Sequence, residues 1–270
     1  LSLRIMDKYK KDLKEAGFKG EILDDLATLD LYSHDASMFE LRPKLVVKPI
    51  DASDVEYLTK LTLKYKKEIP NLSLTARSAG TCMSGGAIND SIIVDFVAHL
   101  NKIGEVSPRH AHTQPGVYYR DFEKETLKHL ALMPTYPASR DLASVGGMVN
   151  NNSGGEKSLE FGKTEDFVES LKFVFADGVE RTVKPLKADQ LKAKMDQKDF
   201  EGKVYRQIYK LIEANYESIK KAKPNVTKNS TGYNLWDVWD RDSGVFDLTK
   251  LIVGAQGTLG LVTDIKFKLV

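Results

Sequence analysis

Residues Arg77 to Ala87 read R-S-A-G-T-C-M-S-G-G-A, and the runs on either side have the character of strands. Leu72-Ser73-Leu74-Thr75-Ala76 alternates apolar and polar residues like a half-buried strand, and Ser91-Ile92-Ile93-Val94-Asp95 is largely apolar. A chain that leaves a strand through so many small residues can set its backbone against a neighbouring group. Glycine allows that close approach, and successive N–H groups in a tight turn form an anion-binding nest. The loop therefore points to a ligand carrying phosphate or pyrophosphate. Taken alone, it reads equally well as a glycine-rich connection that binds nothing.

Two common phosphate loops can be set aside. No G-x-G-x-x-G occurs anywhere in the chain, so the dinucleotide fingerprint is missing. Gly162-Lys163-Thr164 resembles the tail of a nucleoside-triphosphate loop, but the glycine that should open that motif falls on Lys157.

Further motifs follow in order. Gln114-Pro115-Gly116-Val117 comes first, then Tyr136-Pro137-Ala138-Ser139 and the run from Ser144 to Gly155, S-V-G-G-M-V-N-N-N-S-G-G. Phe161 to Asp166, Phe173 to Gly178, K-N-S-T-G-Y-N-L from Lys228 to Leu235, and Val253 to Gly260 complete the set. Together with the 77–87 loop they resemble the FAD-linked oxidase family, with its vanillyl-alcohol-oxidase or PCMH-type fold, over residues 44 to 270. The resemblance is strongest to the branch acting on D-lactate, glycolate and other D-2-hydroxy acids.

That resemblance implies an α+β fold of two α+β lobes with the flavin between them. It assigns Arg77, Ser78, Ala79, Gly80, Thr81, Cys82, Met83, Ser84 and Gly85 to the pyrophosphate loop. Pro137, Ser139, Ser144, Gly146, Gly147, Asn150, Asn151, Ser153 and Gly154 form the second flavin-binding stretch, with Gly162, Gly257, Thr258 and Leu259 following. The residue types suit a long dinucleotide: glycine pairs admit its approach, and Asn and Ser offer amides and hydroxyls to ring or ribose. Covalent members carry a histidine in the pyrophosphate loop, where this chain has Thr81 and Cys82, so FAD is expected to be non-covalent. A small residue filling the loop is the simpler account of Cys82. The catalytic residues are not fixed. Lys228, Tyr233 and Asn234 are the polar cluster to place near the ring.

Periodicity supplies a coarse layout. Residues 1–40 read as an N-terminal helical segment, with a second helical stretch from Glu21; residues 41–98 form a first flavin-binding lobe and 99–270 a second. Strands are expected near 44–48, 72–76 and 91–95, with a helix from Asp51 to Lys67 between the first two. Beyond these come strands at 101–106 and 109–114 and a helix from Val117 to Leu130. A hairpin across Asp177-Gly178 follows, then a helix from Glu201 to Lys223 and a final strand through Ile265, Phe267 and Leu269. Members of the branch continue into a cap domain that shapes the substrate pocket. The 270 residues are thus expected to be the flavin-binding part, with the cap in cis or on another chain.

Composition narrows the alternatives. A net charge of +2 gives no reason to expect nucleic acid, and the basic clusters Lys64–Lys67 and Lys220–Lys223 read as solvated helix faces. No run approaches the roughly 20 apolar residues of a membrane span, no secretory signal is evident, and one cysteine excludes an internal disulfide. The expected location is therefore cytoplasmic, and the several Asn-x-Ser/Thr glycosylation triplets, those beginning at Asn225 and Asn229 among them, read as chance matches. His110 and His112 share one strand face but lack an evident third metal ligand, and His34, in Tyr32-Ser33-His34-Asp35-Ala36-Ser37, reads as a loop residue. The reading that follows is a flavin-dependent oxidation of a D-2-hydroxy acid by hydride transfer. Its rivals are an oxidase or synthase of another substrate, a non-catalytic flavin-binding subunit, and a nucleotide binder using Gly162-Lys163-Thr164.

Overall fold

The computed structural model describes residues 3–226, 229–230 and 232–270. Lys228 and the threonines of the triplets at Asn225 and Asn229, Thr227 and Thr231, lie outside the described residues. The chain opens with α1 (Leu3–Glu15), β1 (Glu21–Leu23), α2 (Leu26–Leu31), β2 (Leu45–Lys48), α3 (Ala52–Tyr65), β3 (Leu74–Arg77) and β4 (Ile92–Asp95). The strands lie in the order β1-β2-β4-β3. β4 runs parallel to both neighbours, and its Ile92-Ile93-Val94 core, like Leu45-Val46-Val47 in β2, is fully buried. Continuous apolar runs are what a parallel strand covered on both faces requires.

Asp51 caps α3 by accepting from the Asp54 amide at 3.0 Å, and Leu58, Leu61 and Tyr65 on one face of that helix enter the core. Met6, Tyr9 and Leu13 of α1 join them. Each large apolar side chain so buried contributes about 1.5–3 kcal/mol. The stretch from Glu21, read as helical, instead begins with a strand pairing Glu21, Ile22 and Leu23 with Lys48, Val47 and Val46. Gly20 explains the change, since a Cβ there would sit 2.1 Å from the Lys48 carbonyl oxygen. Close backbone pairing overrides the local helical pattern, and the helix waits until Asp25 caps Leu26–Leu31.

The remaining elements are β5 (Ile103–Val106), β6 (His110–Thr113), α4 (Tyr119–Leu127), α5 (Val145–Asn150), α6 (Ser158–Phe161), a 3₁₀ turn (Thr164–Asp166), β7 (Val168–Val174) and β8 (Glu180–Val183). Then come β9 (Leu186–Lys187), α7 (Ala188–Asp196), α8 (Phe200–Ala214), α9 (Tyr216–Lys221), β10 (Trp239–Asp240), β11 (Val245–Phe246), α10 (Thr249–Ile252) and β12 (Leu261–Lys268). An antiparallel sheet of order β5-β6-β12-β7-β8 carries the second core, in which Tyr119, Phe122, Phe173 and Phe267 are buried. The expected helix from Glu201 to Lys223 is two helices, broken where Asn215 leaves helical geometry and its side chain bonds the Leu211 carbonyl at 2.8 Å. The last strand starts earlier than its alternation suggested, at Leu261, because its first residues are buried on both sides. The small sheet β10-β11-β9 was not anticipated, its two-residue strands being too short to show a period.

The two sheets meet through shared packing. Val174 of β7 and Leu261 of β12 belong to the core of the first sheet, and the Glu180 amide donates to Glu56 of α3 at 2.7 Å. A cleft opens beside this junction.

Candidate functional site

The cleft, of ≈ 360 Å³, is walled on one side by the end of β3 and the loop after it. On the other side stand Pro115, Pro137, Ser139, the start of α5, the turn 150–153 and the loop before β12. Two hydrogen bonds tie the walls together: Ser78 donates to the Pro115 carbonyl at 3.3 Å, and the Ala79 amide donates to Ser144 Oγ at 3.4 Å.

The loop's interior sets the chemistry. Among the described residues, none of the consecutive backbone amides from Gly80 to Gly85 donates to a protein acceptor. Gly80, Thr81, Cys82 and Gly85 are half-buried, whereas Met83 and Ser84 are exposed. Half-buried N–H groups are usually paired in folded proteins, so those without partners mark a place for an acceptor from outside. Gly80 and Gly85 sit at φ +67° and +79°, which turns the backbone through the left-handed region. Arg77 adds a cation to the same wall. Its guanidinium donates to the Ala87 carbonyl at 3.2 Å and lies 5.2 Å over the Tyr32 ring. Burial pulls its pKa down from the ordinary value, and the nearby Tyr32, Asp95 and Asp35 oppose that shift. Unpaired amides beside a guanidinium suit a pyrophosphate.

Most of the residues singled out from sequence line this cleft: Arg77 to Ser84, Pro137, Ser139, Ser144, Gly146, Gly147, Asn150, Asn151, Ser153 and Gly257. Five others lie outside it, each with a local reason. Gly85 turns toward Phe39, whose ring carbon would be 3.1 Å from a Cβ placed there. Gly154 makes room for Ser158 and Gly162 for Asp166, so both are turn glycines. Thr258 donates to the Ala255 carbonyl at 2.6 Å, and Leu259 packs on the second core. Sequence reasoning missed Phe96, Pro115, Met148, Gln256 and Val262 as lining residues. Pro115 lay in a quoted motif, and Gln256 sits next to Gly257 with a positive φ of 56°.

The asparagines do more inside the protein than expected. Asn150 Nδ2 donates to the Gly146 carbonyl at 2.9 Å, while its Oδ1 accepts from the Gly257 amide at 3.0 Å. Asn151 accepts from Gln256 at 3.1 Å and donates to Ser153 at 3.3 Å. Asn152, at φ +46°, clamps Glu165 at two points: its Oδ1 accepts from the Glu165 amide at 3.0 Å and its Nδ2 donates to the carboxylate at 2.9 Å.

Glu165 is buried and also meets Lys163 Nζ at 2.8 Å and Asn234 Nδ2 at 2.9 Å. Lys163 and Asn234 line a separate cavity of ≈ 200 Å³ with it. The polar cluster placed near the ring is therefore divided. Asn234 faces Glu165, and the Tyr233 hydroxyl bonds that of Thr258 at 2.7 Å. Neither lines the main cleft. The nucleotide-triphosphate reading loses its support too, since Lys163 is paired with Glu165 and the Thr164 hydroxyl donates to the Ser153 carbonyl at 2.8 Å. His110 and His112 each face a separate carboxylate, Glu169 at 2.8 Å and Asp264 at 3.4 Å.

A strand-loop-strand amide cradle opposite a glycine-rich helix start defines the PCMH-type FAD-binding fold. Residues 43–184, more than half the chain, match the family profile described as the FAD binding domain. The chain belongs to this FAD-binding family of the FAD-linked oxidases. The D-2-hydroxyglutarate dehydrogenase of Pseudomonas putida is 30% identical over 261 residues, covering 96% of this chain and 26% of the relative. The glycolate oxidase subunit GlcD of Bacillus subtilis is 26% identical, over 89% of this chain and 40% of the relative. A solved alkyldihydroxyacetonephosphate synthase superposes with a TM-score of 0.66 over 98% of this chain and 40% of its own, at 19% identity, a likeness of fold. The chain thus spans about a quarter of the length of the D-2-hydroxyglutarate dehydrogenases of Pseudomonas putida and Escherichia coli. No described helix is long and apolar enough to cross a membrane.

Proposed function

We propose that the chain holds FAD non-covalently in this cleft, as the cofactor-binding part of a cytoplasmic oxidoreductase acting on a D-2-hydroxy acid. The row of unpaired amides from Gly80 to Gly85 carries the reading. In it, those amides and Arg77 receive the pyrophosphate, and the two lobes divide near residue 98 with the flavin between them. The names of the relatives, D-2-hydroxyglutarate dehydrogenase and glycolate oxidase subunit, support the substrate class.

When bound, FAD supplies the acceptor for the hydride leaving the substrate. The chain's own residues bind and position the cofactor. Among the described residues lining the cleft, none is a base for the substrate hydroxyl. Arg77 and Cys82 are the titratable side chains lining the cleft, and an arginine cannot abstract a proton at neutral pH. The base and the cationic clamp for the substrate carboxylate are accordingly assigned to a cap domain, in cis or on another chain.

Titrating FAD into the 270 residues tests the cofactor assignment, with saturable binding at one equivalent expected and none refuting it. Anaerobic addition of D-2-hydroxyglutarate, D-lactate or glycolate should leave the flavin band unbleached until the remainder of the protein is supplied. Bleaching by the bare chain would place the base within these residues. A completed enzyme that ignores all three acids but oxidises an alcohol or a sugar would overturn the substrate class.

A further inference from the structure

The segment before the first flavin lobe reaches the pyrophosphate loop at three points. Residues 33–41 close on themselves: the Leu41 amide donates to the Ser33 carbonyl at 2.9 Å, and His34 and Glu40 form an antiparallel bridge. The tip of this closed strap meets the loop. Ala36 N–H donates to the Gly80 carbonyl at 3.0 Å. Asp35 Oδ2 accepts from the Ala87 amide at 3.3 Å, while its Oδ1 holds the strap's own turn by accepting from Ser37 N–H at 2.9 Å. The Phe39 ring packs where a side chain on Gly85 would stand. At its other end, the Tyr32 hydroxyl donates to Asp95 and its ring lies under Arg77.

These contacts flank the row of unpaired amides, at the Gly80 carbonyl and at the Ala87 amide, and none uses an amide of the row. We infer that Asp35 is a positioning residue, and that the strap it organises fixes the curvature of the pyrophosphate loop from behind. A carboxylate is a poor ligand for a pyrophosphate, because like charges repel. Asp35 can favour an anion only indirectly, by holding Ala87 so that the amides before it stay aimed at the cleft. Preorganisation of this kind raises affinity by removing the cost of ordering the loop on binding. The assignment of the loop to FAD rests on the function proposed above, whereas the bracing of the loop does not.

Hydrogen–deuterium exchange on the ligand-free protein separates the two. In Asp35→Ala, the bonded amides of Ala36, Gly86 and Ala87 should exchange faster while those of β2 and β4 keep their protection. Asp35→Asn should fail to rescue Ala87, since its amide can accept from Ser37 but presents N–H groups to the Ala87 amide. Phe39→Ala, which leaves Asp35 in place, should loosen the loop to a smaller extent and guards against misfolding of the Asp35 variants. Unchanged exchange at Ala36, Gly86 and Ala87 in all three would overturn the inference. With FAD as probe, Asp35→Ala should weaken binding about tenfold, while riboflavin, which has no phosphate, should bind as it does to the unaltered protein. An equal loss for FAD and riboflavin would show that Asp35 acts on the whole cleft and would overturn the loop-specific role. Absence of FAD binding by the unaltered protein would refute the cofactor assignment and leave exchange to decide on the strap.

Discussion

The Gly80–Gly85 loop and the Asn150–Ser153 turn share one cleft, yet they dispose of their polar groups in opposite ways. In the loop, consecutive amides have no acceptor within the described protein. In the turn, the side chains of Asn150, Asn151 and Asn152 all bond to neighbouring backbone or side chains. Both stretches are rich in glycine and small polar residues, and sequence alone assigned the same task to both. Their difference separates a surface made to receive a ligand from a brace that shapes the surface opposite. Substitutions in the turn should therefore lower stability before they touch binding, and substitutions in the loop should do the reverse.

The largest effect is expected at Glu165, the centre of the brace. Glu165→Ala removes the carboxylate shared by the Lys163 ammonium and the side-chain amides of Asn152 and Asn234, leaving Lys163 the Asn229 carbonyl and Asn234 the Asp237 carboxylate. Removing one partner of a buried ion pair costs about 3–5 kcal/mol, to be read as a fall in the urea midpoint. Glu165→Gln, which keeps an acceptor but removes the charge, should lose less. A loss below about 1 kcal/mol, the scale of an exposed pair, would break the distinction between brace and ligand surface.

Arg77 comes next, on the binding side. Arg77→Met removes the cation while keeping much of the side chain's length, and hydrogen bonds to charged groups are worth about 1.5–3 kcal/mol. FAD affinity should fall roughly ten- to hundredfold, measured by flavin fluorescence, and the loss should shrink in high salt. An affinity insensitive to the substitution would place the pyrophosphate elsewhere.

Gly85 tests the loop's shape. At φ +79°, an L-residue there is strained by about 1–2 kcal/mol, and its Cβ would press on the Phe39 ring. Gly85→Ala should weaken FAD binding about tenfold with little change in the core. If Gly85→Ala binds FAD normally, the loop is not held in this curvature when loaded.

What could be read from the sequence was what acts locally. The strand before the 77–87 loop and the strand after it announced themselves by alternation and by an apolar run, and the glycines by their clustering. The groups that organise the site escaped because their partners are remote in sequence. Asp35 meets Ala87 across 52 positions and Asn234 meets Glu165 across 69, and no periodicity records either. The expected group of Lys228, Tyr233 and Asn234 shows that adjacency in sequence need not mean a shared partner. Tyr233 and Asn234 are adjacent in sequence, but one turns to Thr258 and the other to Glu165.

The smallest effect is expected at Cys82, and it bears on how the cofactor is held. Its Sγ accepts from the Gly86 amide at 3.3 Å and lies 3.7 Å from Ser84 Oγ. A thiol is a weak acceptor, so Cys82→Ala should change stability by less than about 0.5 kcal/mol and FAD affinity by no more than about threefold. The same variant examines attachment. Acid precipitation of the FAD-loaded protein should leave a colourless pellet and a yellow supernatant, with or without Cys82. A pellet that stays yellow in the unaltered protein and turns colourless in Cys82→Ala would reveal a bond between flavin and sulfur. The loop would then be a covalent anchor, and its contrast with the asparagine turn would rest on more than hydrogen bonds.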